Sequence, residues 1–328
     1  MLTRRSLLSA SAGVGCGMFN LERAGAQSFP SRPITMVVPV AAGSGMDTVA
    51  RIFAERMRAS LGQPVVVENV GGASGSIGIG RVARASPDGY TLSYGAWATH
   101  VVNGAVYTLP YDLSNDFEAI SQTINTRFLI AAKNAMPAND LQGLVAWLKA
   151  NPGKASAGTS GTGSPAHIGG ILFQSLTGAR FQFVPYRGTA PAEQDLVAGQ
   201  IDMMIDNTVN ALPLYRAGRI KVYAVLANSR SAAAPGIPTA DEAGVPGFHL
   251  ESWHGLWAPK GTPKAVIARL NATVVEALAE PAVQKRIVDL GAEMPPREHQ
   301  TPEGFGVFHK AEIAKWWPII KAAGITAG

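Results

Sequence analysis

The chain has 328 residues, 47% of them hydrophobic, with 28 basic against 23 acidic side chains and a formal net charge of +5. That is apolar material for two cores of ordinary domain size, and the positive charge is too mild and too evenly spread to mark a nucleic-acid binder. The single cysteine, Cys16, excludes a disulfide framework.

The first segment reads as an export leader. Thr3-Arg4-Arg5-Ser6-Leu7-Leu8 precedes a small-residue apolar stretch from Leu7 to Phe19, and Ala24-Gly25-Ala26 has the small-x-small form that a signal peptidase needs. The stretch is too short for a permanent anchor, so residues 1–26 are expected to be removed near Ala26. The paired arginines fit both twin-arginine and general secretory export. Cys16 lies inside the leader without a leucine three residues before it, which argues against lipoprotein processing. The leader carries three basic residues and one acidic one. The mature chain then holds 25 basic and 22 acidic residues, a charge of about +3, and no cysteine for thiolate catalysis or metal ligation. No later apolar run reaches membrane-spanning length.

After the leader, strand-like and helix-like segments alternate. Ile34 to Val38 is a short β-branched run, and Asp47 to Leu61 places Val49, Ile52, Phe53, Met57 and Leu61 at the period of an amphipathic helix. Val65 to Glu68 predicts a strand, Ile77 to Ala85 a helix stopped by Pro87-Asp88-Gly89, and Thr91 to Tyr94 a strand. Further strands are expected at Phe128 to Ala132, Ala155 to Gly158, Phe181 to Val184, Ile201 to Ile205 and Ile220 to Leu226. Helices are expected at Leu141 to Ala150, Ile168 to Leu176, Ala190 to Ala198 and Ala211 to Ala217. Such alternation with short connections requires a mostly parallel, helix-covered sheet, and the length fits two of them. The stretch Ser231 to Gly247, rich in proline and small residues, is expected to return over the surface between domains. Helices over Pro263 to Leu278, Pro281 to Leu290 and Pro302 to Ala323, with proline near each start, are expected to pack back on the first domain.

The chemistry concentrates in two glycine-rich turns, Pro39-Val40-Ala41-Ala42-Gly43-Ser44-Gly45-Met46-Asp47 and Ser160-Gly161-Thr162-Gly163-Ser164-Pro165-Ala166-His167. Each follows a strand-like run and opens a helix, where unpaired amides, small hydroxyls and the positive end of the helix dipole favour an anion. At Ser164 both hydroxyl and amide are expected to face it. A single such turn is also how ordinary α/β helices begin.

An ordered series of motifs resembles the exported solute receptors of tripartite tricarboxylate transporters, the Bug/TctC-type family. It comprises Ser31-Arg32-Pro33-Ile34, Pro39-x-x-x-Gly43-x-x-x-Asp47-x-x-x-Arg51, Val67-Glu68-Asn69-x-x-Gly72-Ala73-x-Gly75-x-Ile77-Gly78 and Pro87-Asp88-Gly89-Tyr90-Thr91-Leu92. It continues with Tyr111-Asp112-x-x-x-Asp116-Phe117, Ser160-x-x-Gly163-Ser164-x-x-His167, Val184-Pro185-Tyr186-Arg187-Gly188, Pro238-Thr239-x-x-Glu242-Ala243-Gly244 and Trp253-x-Gly255-Leu256-x-Ala258-Pro259. The resemblance implies an α/β fold of the periplasmic binding protein type II-like class, with two domains of mixed, mostly parallel sheets and a ligand cleft at the hinge. Domain 1 would comprise residues 27–127 plus 228–328, and domain 2 residues 128–227. The implied function is a periplasmic, monomeric receptor, without enzymatic activity, cofactor or metal, that closes on a small organic carboxylate and delivers it to membrane permease subunits.

The site carried over from the family is Ala42, Gly43, Ser44 and Asp47 in the first turn, Ser160, Gly163, Ser164 and His167 in the second, Gly72 and Ala73 beside the first, and Asp206 and Asn207 at the ligand's far end. The chain departs from the family pattern at Val40, Ser44 and Met46, and Trp97 stands in a loop that is usually small. Trp97 and Met46 suit an aromatic or otherwise hydrophobic acid.

Each of these residues also has a structural reading: Asp47 as a helix cap, His167 as a core histidine, Arg187 as a tie in an interdomain turn, and Trp253, Trp257, Trp316 and Trp317 as packing. A hydrolase would need Ser160 or Ser164 with His167 and Asp206, but no Gly-x-Ser-x-Gly elbow is present. Gly71-Gly72-Ala73-Ser74-Gly75-Ser76 lacks the Gly-Lys-Ser/Thr of a nucleotide loop. A sensor acting through a signalling partner has the same sequence requirements as a transport receptor.

Overall fold

The computed structural model describes residues 29–322 and 324–326, so the leader and its cleavage point lie outside the described residues. Within them the chain runs β1 (Ile34–Val38), α1 (Gly45–Leu61), β2 (Val65–Asn69), α2 (Ser76–Ala83), β3 (Thr91–Ala96), a π-helical turn over Ala98–Val102, α3 (Asn103–Val106), β4 (Phe117–Lys133), α4 (Leu141–Ala150) and β5 (Ser156–Thr159). There follow α5 (Pro165–Thr177), β6 (Gln182–Pro185), α6 (Thr189–Ala198), β7 (Met203–Asn207), α7 (Thr208–Arg216), β8 (Ile220–Val225), β9 (Glu251–Pro259), α8 (Lys264–Ala279), α9 (Pro281–Asp289) and α10 (Pro302–Ala322).

Local chemistry accounts for these elements. In α1 the helical period puts Val49, Ile52, Phe53 and Met57 into the core, each worth roughly 1.5–3 kcal/mol of burial. Ser44 caps its N-terminus, and Gly62, left-handed at φ 67, ends it by donating its amide to the Arg58 carbonyl.

The strands form one connected path, β2-β1-β3-β9-β4-β7-β5-β6, with β8 on the other edge of β4. The 17-residue β4 links its two parts. Phe117 to Arg127 pairs with β9, whereas Phe128 to Lys133 lies between β7 and β8. Parallel pairs occupy the outer strands, β1 with β2 and β3, and β5 with β6 and β7. Antiparallel pairs join the centre through β4 and β9.

The return segment lies elsewhere than expected. Its Thr239 bridges Val225, Ala240 donates to the Val225 carbonyl at 2.9 Å, and Phe248 is fully buried 5.5 Å from Phe173. Apolar side chains at Ile237, Ala240, Val245 and Phe248 draw it onto the second sheet, and the chain returns to the first sheet only at β9. The C-terminal helix α10 packs beside the first sheet, where Trp317 Nε1 donates to the Val101 carbonyl at 2.8 Å.

Candidate ligand-binding site

The turn before α1 is braced from behind. Gly43, at φ 84, donates its amide to Asp47 Oδ2 at 2.9 Å, while Asp47's own amide donates to Ser44 Oγ at 3.3 Å. The Asp47 carboxylate is 3% exposed and also receives Asn69 Nδ2 at 2.9 Å and Arg51 Nε at 3.0 Å. Burial works to raise its pKa, but the bonds from Arg51, Gly43 and Asn69 outweigh burial and hold the carboxyl below its ordinary value.

The turn before α5 repeats the construction with a different side chain. Gly163, at φ 75, donates to His167 Nδ1 at 3.0 Å, and the His167 amide donates to Ser164 Oγ at 3.3 Å. Burial lowers the His167 pKa, as an imidazole that accepts at Nδ1 requires. Asp47 and His167 are therefore structural equivalents: an acceptor four residues after a left-handed glycine pins the turn, and the serine between caps the helix.

Both turns open into one cavity of about 900 Å³. Ala42 and Ser44 line it from the first turn, and Ser160 and Ser164 from the second. Gly72 and Ala73 line it from a loop in which Ala73 (φ 46) and Ser74 (φ 52) are held left-handed without being glycine. Such strain persists only where the surroundings impose it. Asp206 and Asn207 line it from the end of β7. Among the described residues, the amides of Ala42, Met46, Ala73, Thr162 and Ala166 have no protein acceptor.

The remaining expected site residues sit behind this wall. Gly43, Asp47, Gly163 and His167 shape the turns and do not line the cavity. At Ser164 the amide is spent on the Gly161 carbonyl at 3.1 Å, and the hydroxyl accepts from His167, so only the hydroxyl proton is left to donate. Trp97 is fully buried and does not face the cavity. The π-helical turn after β3 directs its ring inward, where it meets Trp316 edge-on with centroids 4.9 Å apart. Met46 does line the cavity, beside Val40, Phe128, Met204 and Ile205.

Sequence reasoning missed several lining groups. Tyr107 hydroxyl contacts Ser74 Oγ at 2.7 Å and donates to the Thr162 carbonyl at 2.8 Å, joining the loop beside the first turn to the second turn. Asn210 Oδ1 accepts the Gly45 amide at 2.9 Å, and its Nδ2 donates to Asp206 Oδ1 at 3.0 Å. His254 of β9 also lines the cavity. The Asn207-x-x-Asn210 spacing after a strand was the available signal for α7, since Asn207 Oδ1 accepts the Asn210 amide at 3.0 Å as a helix cap.

A hydrolytic relay is not assembled here. The His167 ring takes its bond from Gly163, Asp206 takes bonds from Asn207 and Asn210, and neither serine hydroxyl bonds the ring. Among the described residues no cluster of His, Cys, Asp and Glu has metal-binding geometry, and no helix is long and apolar enough to cross a membrane.

Residues 49–325 match the model of the tripartite tricarboxylate transporter family receptor. Three solved structures are close in fold. MatC (Rpa3494) from Rhodopseudomonas palustris with bound malate has a TM-score of 0.84 and 38% identity, covering 89% of this chain and 100% of that one. The periplasmic binding protein BugD has a TM-score of 0.86 and 39% identity over 91% and 100%. R. palustris Rpa4515 with adipate has a TM-score of 0.87 and 34% identity, also over 91% and 100%. The chain belongs to the tripartite tricarboxylate transporter receptor family and has its periplasmic-binding-protein fold.

Proposed function

We propose that this member of the tripartite tricarboxylate transporter receptor family captures a small organic carboxylate in the 900 Å³ cavity and presents it to membrane permease subunits, as a monomer in the periplasm and without catalysing a reaction. The observation that carries this reading is the pair of equivalently braced turns on one cavity. Their open amides and serine hydroxyls neutralise a carboxylate without a buried arginine. The malate and adipate held by MatC and Rpa4515 are ligands of that class.

In the same reading the two sheets are the cores of two domains, the residues up to 127 with those from 251 onward and residues 128–250, so that 228–250 belongs with the second instead of the first. The chain crosses between them at Arg127 and Phe128 of β4 and again at Leu250 and Glu251. Ligand held from both sides favours closure of these crossings.

A thermal-shift screen of the leaderless protein against mono-, di- and aromatic carboxylates tests the function. A ligand at about a hundred times its Kd adds roughly 2.7 kcal/mol of stability. Stabilisation by compounds lacking a carboxylate, with none from the acids, would refute it.

A further inference from the structure

Asp206 is an unusual neighbour for an anion. It is 3% exposed and lines the cavity whose open amides suit a carboxylate. Its Oδ1 receives the Asn207 amide at 2.8 Å and Asn210 Nδ2 at 3.0 Å, both neutral donors, and no cation of the described residues is paired with it. Arg187 also lines the cavity, but from an exposed position, and makes no ion pair with Asp206. Two carboxylates held close together in one cavity repel unless a proton or a donor lies between them.

Glu193, on α6, stands beside Asp206 as its proton-sharing partner. Its carboxyl is hydrogen-bonded to Asp206, and Glu193 Oε1 is buried with no other partner among the described residues. Burial first, and the charge of Asp206 second, push the Glu193 carboxyl up to about 9, so the pair shares a proton near neutral pH. His254 adds a neutral polar edge. Its Nδ1 meets the Tyr94 hydroxyl at 3.3 Å, its Nε2 has no protein partner among the described residues, and burial takes its pKa down to about 3.

We propose that Asp206, supported by Glu193, determines specificity by accepting a hydrogen bond from an ammonium or hydroxyl group on the bound acid. The receptor then takes amino or hydroxy monocarboxylates in preference to dicarboxylates of equal length. This rests on the carboxylate-receptor reading above and narrows it. A second carboxylate placed at Asp206 would have to bind protonated, whereas a donor there meets a buried carboxylate that no cation of the described residues neutralises.

Calorimetric titration of the exported protein with butylamine, as the amine without a carboxylate, and with two matched series separates the possibilities: butyrate, γ-aminobutyrate, γ-hydroxybutyrate and succinate; and hexanoate, ε-aminohexanoate, ε-hydroxyhexanoate and adipate. In the series that fits the cavity, the amino or hydroxy member should bind roughly ten- to a hundredfold more tightly than the plain acid and the dicarboxylate. The two donor-bearing arms show whether charge or hydrogen bonding dominates. Asp206→Asn should collapse the ratio between amino and plain acid. A wild-type preference for succinate or adipate, or an unchanged ratio in Asp206→Asn, overturns the proposal. Equal affinity for butylamine and γ-aminobutyrate would overturn the carboxylate reading instead and leave the donor site at Asp206 supported. Absence of binding throughout both series overturns both.

Discussion

Asp47→Ala removes the acceptor that ties the first turn, Asn69 and Arg51 together, and its cost follows from who is left without a partner. The Gly43 amide is at an exposed position, so water replaces much of its 2.9 Å bond. Arg51 is 53% exposed, so its ion pair contributes at most about 1 kcal/mol. Asn69 Nδ2 keeps a bond to the Val40 carbonyl at 3.2 Å but loses the charge-assisted bond to Asp47, worth about 1.5–3 kcal/mol. Loss of the negative charge in the first turn of α1 adds about 0.3–1 kcal/mol. The expected destabilisation is thus about 2–5 kcal/mol, roughly 3–8 °C in Tm for a chain of this size. Asp47→Asn, which keeps one acceptor oxygen, should cost about half as much. Carboxylate affinity should fall as well, because the turn that presents the Ala42 and Met46 amides to the cavity is no longer pinned. The difference between wild type and Asp47→Ala should also depend on pH. A carboxyl held below its ordinary value stabilises above pH ~4 and loses that contribution as the pH falls further. Differential scanning calorimetry with urea titration reads the stability, and calorimetric titration with an acid that stabilises the wild type in the thermal-shift screen reads the binding. A variant with wild-type melting and wild-type affinity would refute the brace.

Gly163→Ala combines a left-handed φ of 75 with a Cβ that would clash with Val106 Cγ1, so it should destabilise by about 2–4 kcal/mol, and Val106→Ala should rescue part of the loss in urea melts. Full stability without rescue would count against the contact. Tyr107→Phe should cost about 1 kcal/mol of the closed arrangement, roughly fivefold in ligand affinity, and raise the radius of gyration of the unliganded protein in small-angle scattering. An unchanged radius and affinity would show that Tyr107 does not hold the cleft. Stability should decline as pH falls below ~6.5, because His100, His254 and His309 are buried neutral while the unfolded chain takes up protons there, with a slope of up to about 1.4 kcal/mol per pH unit for each histidine. A flat stability curve between pH 6.5 and 4.5 would contradict their burial.

The two glycine turns were legible because their determinants are local. A left-handed glycine, a serine cap and an acceptor side chain four residues on all lie within one turn of chain, so Gly43-Ser44-x-x-Asp47 and Gly163-Ser164-x-x-His167 announce themselves. Locality also limits what could be read. That a residue belongs to the turn says nothing about which side of it meets the ligand, and half of each motif faces away from the cavity. The outer strands and their helices were legible for a similar reason, since each buries one face at a regular period.

What escaped is central and non-local. The first part of β4 carries Ser121, Gln122 and Thr123, all buried, where a core strand should be apolar. Their polar atoms are satisfied by distant groups, Ser121 Oγ by the Gln300 carbonyl at 3.2 Å and Gln122 Oε1 by His299 Nδ1 at 2.8 Å, and no period in the sequence records those partners. His254 escaped for the same reason. Its place on the cavity wall is set by the register of β9 between β3 and β4, with His254 opposite Ala96 and Ile124. Trp97 was misread because an aromatic in a loop reads as a ligand wall, whereas its surroundings are built by Trp316, more than two hundred positions later in the chain. His254 of β9 and the two turns thus meet at one cavity. A cleft that binds a polar ligand must bring acceptors and donors together from segments remote in sequence, and only the part of that constellation built within a single turn is visible before the chain is folded.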